Sequence, residues 1–477
     1  MNRSPENGQN ESGTAPRSAD SKLLFPLRLV PFERYMLADD RLAYPMTFLV
    51  QVGLQGAPDR ESMEGAFAQA LARHPLLGAR LTRCCGARHW ALADGPPAVL
   101  RWYDGPAASD FGPGRRIDLR AAAPVAGEIW SEGDTATLLL WFHHAACDGI
   151  GAMRFLGDLL AFYGLRTAPA DRRPTLLPVD PAGLAYRGIF DTRPPVPVTR
   201  WEASKGMVRE VWKVLSRRPR VLQGPRRPTG SSEAEKRKLV TTTLPEQVYL
   251  RYSHEASALG STANDVLLRD MFLTVEAWNR RWGVRRQDGW LRINMPTALR
   301  GKRDVRMPAT NVLGYALITH HTRECRDPAR LLREIARETE AIRTWSLGAM
   351  FVEALRIVDR VPGALWLGTR LSRRYATVVL SNLGDPTRRF RARFPRVGKE
   401  IQAGNLLVKS IFGAPPVRPG TRAALALFHY ADRLTIALNA DPQWLGASAA
   451  RDFLTSYEQQ LRETARTVSP TGPGEAL

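Results

Sequence analysis

Apolar side chains along the first part of the chain follow the periods of strands and helices in turn. Residues 45–56, PMTFLVQVGLQG, are rich in β-branched and aromatic side chains and end at glycines, which predicts a strand. The next segment ends at Pro75 and carries apolar side chains at helical spacing, namely Met63, Phe67 and Leu71. This spacing predicts a helix, and strand-like runs follow at 88–103 and 126–142. We therefore expect a first lobe that mixes helices and strands.

A second series of the same kind begins near residue 238. KLVTTTL predicts a strand, and GSTANDVLLRDMFLTVEAWNRRWG predicts a long helix that begins with Thr262 and Asp265 at capping-box spacing. Further strand-like runs are WLRINMP, VLGYALITHH, ATVVLSNLG, GNLLVKSIFG and AALALFHYADRLTIALNAD. A last helix is predicted over 446–466. The fold class that follows is α/β, in the mixed α+β sense, with two lobes of comparable size.

The segment between the two lobes is rich in proline and then in basic residues. Residues 164–200 show no sustained period and predict a connector. In the next stretch, basic side chains lie four residues apart on one face of a helix whose other face is apolar; they are Lys205, Arg209, Lys213 and Arg217. Two interpretations remain open: a helix that contacts a membrane surface or an acidic protein, and a surface helix that spans the two lobes.

These patterns divide the chain into four parts. Residues 1–21 are polar, rich in Gly, Ser, Asn and Pro, and lack the apolar core of a signal peptide, so we expect a disordered leader. The first lobe is expected over 22–190 and a basic linker with an amphipathic helix over 191–237. The second lobe is expected over 238–477.

The balance of charge is strongly basic, with 68 Lys and Arg against 47 Asp and Glu and a formal net charge of +21. Such an excess favours nucleic acid, anionic lipid, or a phosphate-bearing cofactor or carrier as partners. It is also typical of an arginine-rich protein with a solvated surface. The chain has no zinc-finger spacing and no aromatic-rich ribonucleoprotein signature, so we expect no nucleic-acid partner.

Neither a membrane span nor a cysteine framework is evident in the sequence. No window reaches the roughly 18 consecutive apolar residues of a membrane-spanning helix. We therefore expect a cytoplasmic protein with at most a peripheral contact with the inner face of the membrane. The cysteines have neither a disulfide pattern nor the spacing of metal ligands, so we expect a reducing compartment and no metal; they are Cys84, Cys85, Cys147 and Cys325.

The segment TATLLLWFHHAACDGIGAMRFLGDLLAFYG joins a predicted strand to a predicted helix through HHAACDG. A histidine at such a rigid corner suits proton transfer, because its pKa lies near neutrality. If strand alternation persists, His143 and His144 point in opposite directions, and we expect His143 to be packed and His144 to be the base. Asp148 needs a charged partner in this apolar setting, and Gly149 permits a tight turn or the close approach of a substrate. Cys147 has no activating base and is discounted as a catalytic thiol.

HHAACDG fits the HHxxxDG signature of a large acyltransferase superfamily, which the chain resembles. Its members include chloramphenicol-acetyltransferase-like enzymes, condensation domains of nonribosomal peptide synthetases, plant-type acyltransferases and bacterial wax ester synthase/diacylglycerol acyltransferases. YPMTFLVQVGLQG and AFAQALARHPLLGARL look like the opening strand and first helix of such proteins. STANDVLLRD, INMPTALRG and VVLSNLGDP are similar to segments of their second lobe. The resemblance covers nearly everything between residues 25 and 465.

The resemblance implies two chloramphenicol-acetyltransferase-like lobes with mixed sheets and a tunnel at their interface. It implies that His144 deprotonates an alcohol or amine acceptor for attack on a thioester. It also implies that Asp148 pairs with an arginine of the second lobe, for which Arg300 is the candidate by position. No permanently bound cofactor is implied, and the cosubstrate would be acyl-CoA or a phosphopantetheinyl carrier such as an acyl carrier protein.

Thioester chemistry also needs a donor to the developing oxyanion. Ser381 and Asn382, in LSNLG, are candidates to supply or shape one, and the alternative is a turn before Gly384. Asn264 stands beside Asp265 at a predicted helix start, so it is either a tunnel residue or part of the helix cap.

Departures from the individual families leave the substrate class open. No Pro-Leu-Trp segment of the wax-synthase kind occurs near 95–105, SNLGDP replaces Ser-Asn-Val-Pro-Gly-Pro, and no DFGWG-like segment is present. We predict an O-acyltransferase that moves an acyl group from a thioester to an alcohol. The alternatives are a free-standing condensation enzyme that forms amides from carrier-bound substrates, and a non-catalytic docking module of the same fold.

Overall fold

The computed structural model describes residues 24–92, 98–107, 114–190, 212, 216–225, 239–283, 288–371 and 375–466. Its α-helices, in chain order, are α1 (Pro31–Asp39), α2 (Arg60–Arg73), α3 (Gly149–Thr167), α4 (Glu246–Ala258), α5 (Ala263–Trp282), α6 (Pro328–Thr344), α7 (Gly348–Val358), α8 (Ala364–Leu371) and α9 (Ala447–Arg466). Its strands in the first half are β1 (Leu27–Arg28), β2 (Thr47–Gln55), β3 (Ala79–Cys84), β4 (Ala87–Leu92), β5 (Leu100–Asp104), β6 (Val125–Glu132), β7 (Thr135–His143) and β8 (Thr175–Leu176). Those in the second half are β9 (Leu239–Leu244), β10 (Trp290–Ala298), β11 (Leu313–His321), β12 (Val378–Gly384), β13 (Ala392–Arg393), β14 (Arg396–Val397), β15 (Glu400–Ala403), β16 (Leu406–Ala414), β17 (Ala423–Tyr430) and β18 (Arg433–Ala440).

Seven strands form the sheet of the first lobe, in the order β14-β15-β16-β2-β7-β6-β5. At its centre, β2 and β7 pair antiparallel, with Thr47 opposite His143. β7 is buried along nearly its whole length, which is typical of a strand covered on both faces. α3 follows it, and all its residues from Gly151 to Gly164 are buried, including the charged Arg154 and Asp158. The corner at 143–149 is thereby held between two buried elements.

Six strands form the sheet of the second lobe, in the order β11-β10-β12-β17-β18-β9. α5, α6 and α9 contribute to the core on this sheet, with side chains that include Phe272, Ile335, Phe453 and Tyr457. α5 begins with the predicted capping box. Thr262 Oγ1 accepts a hydrogen bond from the backbone N of Asp265 at 3.3 Å, and Asp265 Oδ2 accepts one from the backbone N of Thr262 at 2.8 Å.

Part of the second half of the chain belongs to the first sheet. β16 pairs antiparallel with β2, with Phe412 opposite Gln51 and Ala414 opposite Leu49. The segment GNLLVKSIFG was expected in the second lobe, so this assignment is corrected. An alternating strand has the same pattern whichever sheet it joins, because the partner is chosen by tertiary pairing and not by the strand's own period.

Three helices occupy a stretch to which the sequence analysis assigned no element. α6, α7 and α8 follow one another between 328 and 371, and α7 contacts both β11 of the second lobe and α1 of the first. α8 also packs against α1. A helical signal was present in PARLLREIARETEAIR, whose Leu331, Leu332, Ile335 and Ile342 are all buried on α6.

The predicted fold class, mixed helices and sheets in two lobes, is confirmed. The predicted leader and most of the basic helix lie outside the described residues. Arg217, the last of its four basic residues, is described, and its guanidinium lies 4.4 Å from the ring centroid of Trp290. Within the part of the chain that the structure describes, no helix combines the length and apolar character needed to cross a membrane.

Candidate active site

The loop between β7 and α3 carries HHAACDG, and hydrogen bonds from its neighbours hold its backbone. The backbone N of His143 donates to the carbonyl of Pro124 at 2.8 Å. The backbone N of His144 donates to the carbonyl of Met46 at 2.7 Å, next to the start of β2. Asp148 then caps α3, because its Oδ1 accepts from the backbone N of Gly151 at 2.7 Å. The two histidines are therefore fixed relative to both sheet and helix.

His143 is packed, as the sequence predicted, with 1% of its surface exposed. Its Nδ1 accepts a hydrogen bond from the backbone N of Ala145 at 3.1 Å. An imidazole that accepts at Nδ1 carries its proton on Nε2 when neutral. That Nε2 lies 3.7 Å from Oδ2 of Asp40 and has no hydrogen-bond partner among the described residues.

His144 points to a different environment, at a cleft between the lobes. Its ring is half-buried, and its centroid lies 5.1 Å from that of Phe48. Burial lowers the pKa of His144, and the nearby Asp148 and the Asn311 side chain offset this only in part. The imidazole is therefore neutral at neutral pH, which is the form that accepts a proton.

Asp148 is bound by four hydrogen bonds at both of its oxygens. Arg300 donates through Nη1 to Oδ2 and through Nη2 to Oδ1, each at 2.8 Å. The backbone N of Val312 also donates to Oδ2 at 2.8 Å, besides the helix cap at Gly151. Burial alone would raise the pKa of Asp148, but Arg300 and these donors lower it. Asp148 is therefore ionised and links the two lobes through its pair with Arg300. Arg300 is the partner that the resemblance implied.

Asn311 belongs to the site and was not identified from the sequence. Its Nδ2 donates to the carbonyl of His144 at 2.8 Å and to that of Ala145 at 2.9 Å. It comes from the second lobe, between Arg300 and β11, and therefore holds the histidine loop from the opposite side. Nothing in its local sequence, PATNVLGY, distinguishes it from a turn asparagine, since the signal lies in a contact across 167 positions.

The cleft is narrow, with a volume of about 50 Å³, and it lies at the interface where the tunnel was expected. Its wall is mainly apolar and includes Phe48, Leu383 and Phe428, and its polar side chains are those of His144 and Ser381. This space admits only a few water-sized groups. Gly149 also lines the cleft, where an added Cβ would lie 3.0 Å from Leu383. Its backbone φ is not positive, so the close-approach interpretation is favoured over the tight turn.

Two other candidates point away from the cleft. Asn382 is exposed; its Oδ1 accepts from the backbone N of Gly384 at 3.0 Å, and its Nδ2 donates to Oδ1 of Asn264 at 3.3 Å. Asn264 in turn donates to Sδ of Met295 at 3.4 Å. Asn382 thus has the turn role, and of these two residues in LSNLG only Ser381 lines the cleft with His144.

Two further groups of titratable side chains lie outside the cleft wall: Cys147 and a cluster around His320. Burial and the neighbouring Asp148 raise the pKa of Cys147 well above its ordinary value, so its sulfur is a thiol. Possible metal-ligand atoms also lie close together in the second lobe, on His320, Glu324 and Glu334. Burial would lower the pKa of His320, but Glu324 and Glu338 raise it to about 9. His320 is therefore held as a cation between two carboxylates.

Proteins of known sequence or structure are similar to this chain over most of its length. No family model matches the chain. Two uncharacterized proteins of Mycobacterium tuberculosis are each 24% identical over 449 residues, covering 91% of this chain and 99% of each relative. The first condensation domain of the calcium-dependent antibiotic synthetase, solved with a substrate analogue, has a TM-score of 0.65 and 16% identity, covering 92% of this chain and 96% of that one.

Two further solved structures agree with this result. Polyketide synthase associated protein 5 from Mycobacterium tuberculosis has a TM-score of 0.60 and 17% identity, covering 92% of this chain and 98% of that one. A mutant starter condensation domain of rhizomide synthetase, in complex with C8-CoA and Leu-SNAC, has a TM-score of 0.62 and 12% identity, covering 95% and 97%. The chain therefore has the two-lobed fold of these condensation domains, as the resemblance of its sequence implied.

Proposed function

We propose that the protein is an acyltransferase that moves an acyl group from a thioester to an alcohol, with His144 as the general base. The observation that carries the proposal is a neutral, half-buried histidine in an apolar cleft between two lobes. Such a site excludes bulk water, which would otherwise hydrolyse a thioester, and it presents one group that both accepts and returns a proton.

The proposed reaction has two proton transfers at one imidazole. His144 takes the proton of the acceptor hydroxyl while the oxygen attacks the thioester carbonyl carbon. The tetrahedral intermediate then collapses, the carbon–sulfur bond breaks, and the leaving thiolate takes the proton from His144. The products are an ester and a free thiol, and the histidine is neutral again.

Other residues of the site position the base or stabilise charge. Asp148 and Arg300 hold the start of α3, and Asn311 holds the carbonyls of His144 and Ala145. Ser381 is the proposed donor to the oxyanion, because its side chain lines the same cleft as His144.

The proposed acyl donor is acyl-CoA or a phosphopantetheinyl carrier, with no permanently bound cofactor. The rhizomide synthetase domain of the same fold was solved with C8-CoA and Leu-SNAC, which supports thioester ligands for this architecture. The net charge of +21 suits the phosphates of CoA and an acidic carrier protein equally.

The test is turnover with a panel of acyl-CoA and acyl-N-acetylcysteamine thioesters and a panel of alcohols and amines, followed by mass spectrometry. We expect an ester product and a loss of about 10²- to 10⁴-fold in kcat for His144→Ala. His254→Ala is the matched control, because His254 is exposed on α4. Equal rates for wild type and His144→Ala with every pair would contradict the proposal. Amide products alone would favour the condensation enzyme, and binding of thioesters without turnover would favour the docking module.

A peripheral contact with an anionic membrane is the second part of the proposal, and an exposed apolar surface supports it. The segment 345–371, here called the apolar hairpin, contains α7 and α8. Its inner face packs on the lobes through side chains such as Val352 and Leu355. Its outer face exposes Trp345, Ile357, Val358, Val361, Trp366, Leu367 and Leu371, with Trp366 56% and Leu371 72% exposed. Surfaces of this kind mark interaction sites.

The residues around the apolar hairpin favour a lipid surface over a second protein. Arg360 and Arg370 flank its apolar side chains, and the guanidinium of Arg370 lies 5.3 Å from the ring centroid of Trp366. Tryptophan beside arginine around an apolar patch suits the boundary between anionic headgroups and acyl chains. The basic helix expected near 205–217 would add to this attraction.

A further inference from the structure

We propose that a second cavity, on the other side of the histidine pair from the cleft, binds the phosphate groups of the acyl donor. The inference rests on the proposed function, because it names how that donor is held. The cavity has a volume of about 770 Å³, within the range of small-molecule sites. It is lined by α1, by the β3–β4 hairpin, by the segment 116–120 and, at the end of β7, by His143.

Four arginines line this cavity, and we call them the arginine group: Arg83, Arg88, Arg116 and Arg120. All four are exposed, and none of their guanidinium groups forms an ion pair with a described residue. Arg83 and Arg88 are directly opposite each other in the β3–β4 pairing. Like charges at opposite positions of a hairpin destabilise it. An anion between them would remove this repulsion.

The acidic residues of the cavity are already engaged within the protein. Asp40 accepts a hydrogen bond from the backbone N of Met46 at 2.8 Å through Oδ1, and its Oδ2 faces His143. Asp118 accepts from the backbone N of Arg120 at 3.1 Å. Four arginines thus face two carboxylates in this cavity, and an excess of positive charge is the electrostatic character of an anion site.

His143 adds a ring N–H group to the same cavity. Its Nδ1 accepts from the backbone, so its Nε2 carries the proton. This Nε2 lies 3.7 Å from Oδ2 of Asp40, which is longer than a hydrogen bond. His143 lies one residue before His144, which lines the cleft. Phosphate groups in the cavity and a thioester in the cleft would thus flank the same pair of histidines.

Phosphate is the ligand chemistry that this arrangement fits best. Arginine forks match phosphate oxygens in pairs, and several arginines suit a ligand with several negative charges. Such phosphates occur in the 3′-phospho-ADP part of CoA, and a single one occurs in the phosphopantetheine arm of a carrier protein. These two sources differ in charge, so binding measurements distinguish them.

The experiment is isothermal titration calorimetry of the full chain with 3′,5′-ADP, with CoA and with free phosphopantetheine. Each is measured with wild type, with Arg83→Gln/Arg88→Gln, and with the control Arg333→Gln/Arg337→Gln, whose arginines are exposed on α6. Both double variants remove the same charge. We expect the cavity variant to raise the Kd for 3′,5′-ADP at least about tenfold, because two charged hydrogen-bonding groups are lost. The control is expected to match wild type, and unfolding midpoints check that each variant is folded.

Several outcomes separate this inference from the proposed function. Equal Kd values for wild type and the cavity variant with all three ligands, or no binding of any of them, would overturn the phosphate site. Tight, variant-sensitive binding of phosphopantetheine without binding of 3′,5′-ADP would support the site with a carrier arm as the source. If wild type turns over no thioester, including N-acetylcysteamine thioesters that lack phosphate, while the cavity variant still loses 3′,5′-ADP, the phosphate site stands and the proposed function fails.

Discussion

Arg300 and Asp148 form a bidentate ion pair, with Nη1–Oδ2 and Nη2–Oδ1 distances of 2.8 Å, that ties the end of a second-lobe strand to the start of a first-lobe helix. Arg300 also donates to the carbonyl of Thr310 at 3.0 Å, so its guanidinium also holds the loop before β11 in place. Asn311 lies in that loop. The pair therefore sets the distance between the lobes at the point where His144 faces the cleft.

We predict that Arg300→Gln lowers the free energy of unfolding by about 3–5 kcal/mol, because Asp148 is then left as a buried carboxylate with a lost partner. Urea unfolding followed by tryptophan fluorescence measures this. Arg330→Gln is the control, since it removes an exposed i,i+4 pair with Glu334 and should change stability little. If both variants lower the free energy of unfolding by a similar, small amount, the pair of Asp148 and Arg300 does not hold the lobes together.

The pH dependence of turnover reports the state of His144. Burial lowers the pKa of this histidine below its ordinary value of 6.5. Because the base must be deprotonated, we expect kcat/KM to fall on the acid side with an apparent pKa below 6.5 and to reach a plateau at higher pH. A steady-state pH profile measures this. An acid limb centred above 6.5 would indicate a different base.

Asn311→Ala tests the positioning role of the asparagine. Two hydrogen bonds to the histidine loop are lost, and we expect kcat to fall about ten- to a hundredfold with a smaller change in KM. The Asn311 side chain also raises the pKa of His144, so the acid limb of the pH profile should move to lower pH. Asn279→Ala is a matched control, because Asn279 Nδ2 donates to the carbonyl of Val221 elsewhere in the second lobe. An unchanged acid limb with unchanged kcat would contradict this role.

His320 should make stability depend on pH in the second lobe. Its pKa of about 9 lies above its ordinary value of 6.5, so the stabilisation is fully present below pH 6.5 and is lost as the pH rises through 9. The loss amounts to about 3 kcal/mol. We predict that wild type loses this much more unfolding free energy than His320→Gln between pH 6 and pH 10, measured by urea titration. His254→Gln, at an exposed site, should behave as wild type.

The apolar hairpin gives a prediction for membrane binding. Trp366→Ser/Leu367→Ser removes two exposed apolar side chains, so co-sedimentation with anionic vesicles should fall severalfold. Leu250→Ser is the control, because Leu250 is 55% exposed on α4, away from the hairpin. Vesicle binding that does not depend on salt concentration or on anionic lipid would contradict a membrane contact. Self-association lost in the hairpin variant would instead identify a second copy as the occupant.

The sequence by itself determined the periodic elements and the chemistry of one loop. The apolar period of a strand or a helix is formed by residues that are close together in the sequence. For this reason α3, α5, β7 and β10 could be predicted where they occur. Within HHAACDG, strand alternation alone predicted that His143 is packed and that His144 points the opposite way. The need of Asp148 for a positive partner followed from the cost of burying a charge.

The tertiary structure decided whatever depends on contacts between distant parts of the chain. It brought Asn311 to the carbonyls of His144 and Ala145 and paired β16 with β2. It also left the apolar hairpin exposed and gathered the arginine group around one cavity. None of these has a local signal, because an asparagine, an alternating strand or an arginine has the same sequence pattern whichever partner it meets. Only the packing of the two lobes selects that partner.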